Sequence, residues 1–337
     1  MVFAPLFLLA ASPAFEESFR SGLVALQQND LATARSSLET AMKIEPGNGR
    51  VWVALAQTYR KLNETAKANA AAARAEAQGA KDPVVLSSLA IFYAGSDQTL
   101  KAADAQAKYA ALVPGDAAAR QKAESMYFDA AQPLLRQGKF PEAVPILQAG
   151  AERLKESAQL QLALGVAFYG LRRFDEAAGA FLRTIEIAPE IEQPYVFLGK
   201  FLDQIPNRID VVTKKFADYE AANPASSLGY FLHAKAFNVQ SIEPETARAL
   251  LEKSLAINER DAPAHFELGA TLDRTQHYPE AAREFERAAE LAPEDAATHY
   301  RLARVYDRLG KREAAQAERK RHAELIKAQD AATSGMR

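Results

Sequence analysis

Residues 262–295 read APAHFELGATLDRTQHYPEAAREFERAAELAPED, and two helical stripes run through them. His265, Leu268, Gly269 and Leu272 recur at i, i+3, i+4 and i+7, which is one face of a helix. Ala281, Phe285 and Ala288 mark the face of a second helix, and Pro293 stops it. Helices this short are marginal in water and draw their stability from packing. Neither stripe can be buried by its own helix. Packed on each other, and on a neighbouring copy, both can.

The copies are present along the chain at a spacing of 34 residues. Ala247, Ala281 and Ala315 share one phase, as do Ala143 and Ala177, and Ala68 and Ala102. Pro46, Pro114, Pro189 and Pro293 each follow a second helix. Asn48, Asp82, Asp116, Asp261 and Asp295 each stand just before a helix, where the side chain can accept from an otherwise unpaired backbone N–H. Alanine recurring by chance in an alanine-rich chain would not also phase these caps.

This pattern resembles the tetratricopeptide repeat family. Trp52, Leu55, Ala56 and Tyr59, with Ala68 after them, stand at the family's places, and so do Leu268-Gly269, Ala281, Phe285 and Pro293. The resemblance covers residues 15–328. It implies an all-α fold: a right-handed α-solenoid of about nine stacked helix-turn-helix repeats. It also implies a non-enzymatic protein–protein interaction scaffold that holds a peptide or protein in the concave groove of the stack.

Composition sets limits on the alternatives. The net charge is −2 and the pI about 6.3, without the basic footprint that phosphate binding leaves. An RNA-binding helical repeat is therefore the weaker reading, and an accessory module for a separate enzyme or an envelope assembly is another alternative. There is no cysteine, which removes thiolate metal sites and cysteine nucleophiles. No phosphate-cradling loop, HExxH or GxSxG occurs, so no catalytic residue, cofactor or metal ligand is assigned. His265 and His299 lie 34 apart on matching places. They could form a metal pair, but packing between helices is the simpler expectation.

Departures from the period mark the boundaries. Residues 1–14 are apolar and uncharged, like a signal peptide, although no Lys or Arg precedes them. If removed, they imply export to a periplasm or the exterior of a bacterial cell; otherwise they pad the first repeat of a cytoplasmic protein. The run is too short for a transmembrane helix. In the fourth repeat the distance from cap to phased alanine is 27 residues (Asp116 to Ala143), against 20 elsewhere. Seven extra residues add nearly two turns to its first helix, which should start near 117 and run toward 137. Pro133 should kink or end that helix, and a seam between two halves is expected near 117–140. In the sixth repeat Val211 stands in the place of the phased alanine. Residues 329–337 read as a frayed tail.

The family's groove-facing places are the fifth, ninth and twelfth of each first helix. Carried onto this chain, they give an apolar strip of Leu162, Val196, Phe231, Phe266 and Tyr300. Beside it runs a partly basic row with Lys200, Lys235 and Arg304, and a mostly acidic row of Asp203, Asn238, Asp273 and Asp307. Phe231, Phe266, Tyr300, Lys200, Lys235, Arg304, Asp273 and Asp307 are the candidate partner-binding residues. Alternatively, the aromatics fill gaps between repeats and the charges pair among themselves. The carboxylate clamp of some family members is absent, because Phe19, Leu23 and Ala54 hold its first places.

Overall fold

A computed structural model describes the backbone of residues 12–334 and the side chains of residues 12–331. Among the described residues there are eighteen α-helices, two short 3₁₀ turns and no strand. The chain divides into two compact units, Met1–Leu171 and Arg172–Arg337.

The N-terminal unit holds α1 (Pro13–Gln27), α2 (Leu31–Ile44), α3 (Gly49–Lys61), α4 (Thr65–Gln78), α5 (Pro83–Ala94), α6 (Thr99–Leu112), α7 (Ala117–Arg136), α8 (Phe140–Arg153) and α9 (Ala158–Gly170). The C-terminal unit holds α10 (Phe174–Ile187), α11 (Gln193–Lys200), α12 (Ile209–Ala222), α13 (Ser227–Gln240), α14 (Pro244–Ile257), α15 (Ala262–Arg274), α16 (Tyr278–Leu291), α17 (Ala296–Arg308) and α18 (Arg312–Ser334). Within each unit most consecutive helices pack on each other, as α1 on α2, α3 on α4, α5 on α6, α7 on α8, α13 on α14, α15 on α16 and α17 on α18. First helices also touch first helices: α1 on α3 and α3 on α5, then α11 on α13, α13 on α15 and α15 on α17.

Local chemistry explains the boundaries. The side chains of Asn48, Asp82, Asp116, Asp261 and Asp295 each accept a backbone N–H in the first turn of the helix that follows. The phased alanines Ala34, Ala68, Ala102, Ala143, Ala177, Ala247, Ala281 and Ala315 are all buried. The turn inside a hairpin carries a residue in the left-handed region: Asn29, Asn63, Asp97, Gly138, Gln276 and Gly310 hold that place, with φ between 55° and 73°. A small residue at the eighth place of a first helix admits the second helix. At Gly269 a Cβ would stand 2.9 Å from the Phe285 ring.

Several expectations need correction. The contacts divide the chain between Leu171 and Arg172. The long helix α7 packs on α6, α8 and α9. It runs to 20 residues against 13 for α9. Pro133 does not end it; the following turn closes with the Gln137 N–H donating to the Pro133 carbonyl at 3.1 Å. In the sixth repeat Val211 is 53% exposed, and Val212 takes the buried place instead. The cause is the irregular link before α12, where 3₁₀ turns at Leu202–Gln204 and Pro206–Arg208 shift the phase by one residue. Residues 329–334, expected to fray, continue α18. Of the apolar leader expected over residues 1–14, residues 1–11 lie outside the described residues. Ser12 caps α1, and Pro13 and Ala14 form its first turn. No described helix is long and apolar enough to cross a membrane.

Candidate functional site

The first helices α13, α15 and α17 shape a hollow of about 350 Å3 in the C-terminal unit. Phe231 on α13 and Phe266 on α15 line it, with Lys235, Pro263, Glu267 and Thr298. Both phenylalanines are half-buried and pack on the core behind them. The Phe266 ring meets Phe285 of α16 edge-on at 5.6 Å. These rings therefore do two things: one part of each seals the core, and the other part forms the floor of the hollow.

The charged groups of the hollow are engaged. Lys235 Nζ lies 5.8 Å from the centre of the Phe231 ring and 3.9 Å from Glu267 Oε1. Glu267 Oε2 accepts from Asn238 Nδ2 at 2.9 Å. Asp295, also at the edge, caps α17 by accepting from the backbone N–H groups of Ala297 and Thr298. Tyr300, one turn further along α17, is 47% exposed. The Arg304 guanidinium lies 5.9 Å from its ring centre.

The other candidates sit elsewhere. Lys200, on α11, is exposed and lies 5.2 Å from the Phe197 ring, outside the hollow. Asp273 is buried and forms an ion pair with Arg308 of the next hairpin. Asp307 pairs with Arg319 of α18. Asp307 thus ties together its own hairpin, and Asp273 ties the joint between two repeats. Asn238 does the same, accepting from Thr271 Oγ1 at 2.8 Å and from Arg274 Nη2 at 3.1 Å. Pro263 and Ala297 were missed as lining residues. They lie three residues before Phe266 and Tyr300, so the same stripe extended back by one turn reaches them.

His265 and His299 each bond on both sides of the ring. His265 Nδ1 lies 2.6 Å from Glu284 Oε2 and its Nε2 3.0 Å from the carbonyl of Glu259. His299 repeats this with Glu318 at 2.6 Å and the carbonyl of Pro293 at 3.1 Å. The same place in other repeats makes the same bond to the carbonyl six residues back. Trp52 Nε1 donates to Pro46 at 2.7 Å, Tyr195 to Pro189 at 3.0 Å and Tyr230 to Pro224 at 3.2 Å. Burial pulls the His265 pKa down, but its hydrogen bonds to Glu284 and to the Glu259 carbonyl outweigh that and hold it above the ordinary 6.5. Among the described residues no group of three or more His, Cys, Asp or Glu is placed to hold a metal.

Three models described as tetratricopeptide repeat match residues 25–91, 128–190 and 262–295. Intraflagellar transport protein 70A of Xenopus laevis is 23% identical over 174 residues, 52% of this chain and 26% of that protein. The protein of the same name from Xenopus tropicalis matches to the same extent. The chain thus spans about a quarter of the length of these curated relatives. Among solved structures, PilW, titled a type IV pilus biogenesis factor, is similar with a TM-score of 0.49 and 19% identity, over 58% of this chain and 90% of that one. PilF of Pseudomonas aeruginosa is similar with a TM-score of 0.47 and 19% identity, over 59% and 90%.

Proposed function

The chain is a tetratricopeptide repeat protein, and from that premise we propose that it is a non-enzymatic scaffold whose C-terminal unit holds a protein partner through an apolar side chain seated between α13 and α17. The observation that carries this reading is the hollow floored by Phe231 and Phe266, where the neighbouring carboxylates Glu267 and Asp295 are already bonded within the protein. An apolar side chain entering it leaves no partner of those carboxylates stranded. Burying one leucine-sized side chain contributes roughly 1.5–3 kcal/mol. A micromolar complex needs about 8 kcal/mol net, so a peptide with further contacts, for which Tyr300 and Arg304 are placed, fits better than a single anchor.

The test separates packing from binding. Changing Phe231, Phe266 and Tyr300 together to Ser should lower the melting temperature, because two of these rings also seal the core. Ala297→Trp fills the hollow from its exposed rim instead. If the reading holds, that variant keeps the wild-type melting temperature and loses the partner captured from the native source. Capture at wild-type level by a folded Ala297→Trp protein would defeat it. Export is part of the same proposal. Sequencing the N-terminus of the protein from its native source tests it, and a chain that still begins at Met1 would rule out cleavage.

A further inference from the structure

We propose that His265 and His299 are proton-dependent locks on the last two hairpins: each ring holds its hairpin fully only when both of its nitrogens carry a proton. The inference does not rest on the hollow or on any partner.

It starts from donor and acceptor counting. Each ring faces an oxygen on both sides. Glu284 Oε2 stands 2.6 Å from His265 Nδ1 and the Glu259 carbonyl 3.0 Å from its Nε2. Glu318 Oε2 stands 2.6 Å from His299 Nδ1 and the Pro293 carbonyl 3.1 Å from its Nε2. A carbonyl oxygen only accepts, and so does an ionised carboxylate. Neutral imidazole has one N–H, so one of the two contacts would set a nitrogen lone pair against an oxygen lone pair. The imidazolium donates to both.

The contacts join separate elements. Through His265 the turn before α15 is tied to α16, and through His299 the turn before α17 is tied to α18. Both rings are well shielded, with side-chain exposures of 12% and 9%. The charged neighbours of His265 are Glu284 and Arg287, both on α16, and the arginine opposes the proton. Those of His299 are Glu318 on α18 and Arg321, whose Nη2 shares the Pro293 carbonyl at 3.4 Å and meets Glu294 at 3.1 Å. His233 has one such contact, 2.6 Å to Glu220, and that contact alone is met by a neutral tautomer as well.

The sign follows from linkage. A histidine held above its unfolded value contributes stability that is complete below about pH 6.5 and is lost as pH rises through the folded value. All five histidines lie in the C-terminal unit, so the N-terminal unit has no imidazole to titrate.

The experiment uses the full chain with ¹⁵N-labelled histidine. Ring-nitrogen NMR at about pH 6.5 should show His265 more than half imidazolium, with both of its nitrogens protonated. Thermal unfolding of the C-terminal unit should fall by on the order of 3 °C between about pH 5.5 and 8.5. The variant carrying His265→Asn and His299→Asn should lose that fall. A single neutral tautomer at His265, or a wild-type pH dependence in the variant, would overturn the proposal. The spectrum of the wild-type chain decides the matter even where the variant does not fold.

Discussion

Arg308 on α17 donates to the carboxylate of Asp273 on α15, and Asp273 is only 7% exposed. One repeat earlier, Arg274 reaches back in the same way, donating to the Asn238 side chain at 3.1 Å and to its carbonyl at 3.2 Å. An arginine at the end of one first helix therefore ties down the twelfth place of the first helix before it. These ties run across the joints between hairpins, where a stack of small units is most easily separated.

Arg308→Ala should destabilise the C-terminal unit more than an ordinary surface change. Removing the partner of a fully buried charge costs roughly 3–5 kcal/mol. The Arg308 side chain is 36% exposed, so water screens part of the pair, and a loss of about 1–3 kcal/mol is expected. Replacing both residues, Asp273→Leu with Arg308→Met, should recover most of it. Urea unfolding of the three variants measures the difference.

Gly269→Val should cost about 1–3 kcal/mol, because the new Cβ would meet the Phe285 ring at 2.9 Å in a packed joint. Gly115→Ala is the matching control. A Cβ there has nothing within 4 Å, and the change should be neutral or stabilising by up to about 1 kcal/mol. Melting temperatures of the two variants test the contrast.

Trp52→Phe removes the bond from Trp52 Nε1 to the Pro46 carbonyl at 2.7 Å. A loss of about 0.5–1.5 kcal/mol is expected in the N-terminal unit. Trp52 is also the chain's one tryptophan, so fluorescence of the wild-type protein follows that unit while circular dichroism follows both. Separate unfolding of the two units would appear as transitions that do not coincide.

Gln276 sits at φ 67° in the turn between α15 and α16. An L side chain pays roughly 1–2 kcal/mol in that region, and glycine does not. Gln276→Gly should therefore raise the melting temperature, with part of the gain offset by unfolded-chain entropy. Gly310→Ala, at φ 73° in the equivalent turn, should lower it. Calorimetry on the pair checks both signs.

The regular parts of this architecture are legible from local chemistry. The buried alanines and the helix caps lie at fixed positions within a repeat, so one good copy locates the rest. Legibility fails where a neighbour outside the local pattern decides. Val212 rather than Val211 is buried because the 3₁₀ turns before α12 shift the phase. Asp273 stands at a groove place by position, yet Arg308, 35 residues further on, recruits it to the core. The division after Leu171 has no local signal, since residues 158–191 follow the repeat without interruption. At the candidate site the phenylalanines were identifiable by their place in the repeat. Their double duty, core on one side and hollow on the other, depends on how far α13, α15 and α17 stand apart.

The most direct measurement places a photo-cross-linking benzoylphenylalanine at Tyr300, beside the hollow, and at Glu290, whose side chain is 66% exposed on α16. Irradiated in the native source, position 300 should yield a distinct adducted polypeptide that position 290 does not, and Ala297→Trp should abolish it. An adduct formed equally from position 290, or one that survives Ala297→Trp, would contradict the hollow as the place where the partner is held.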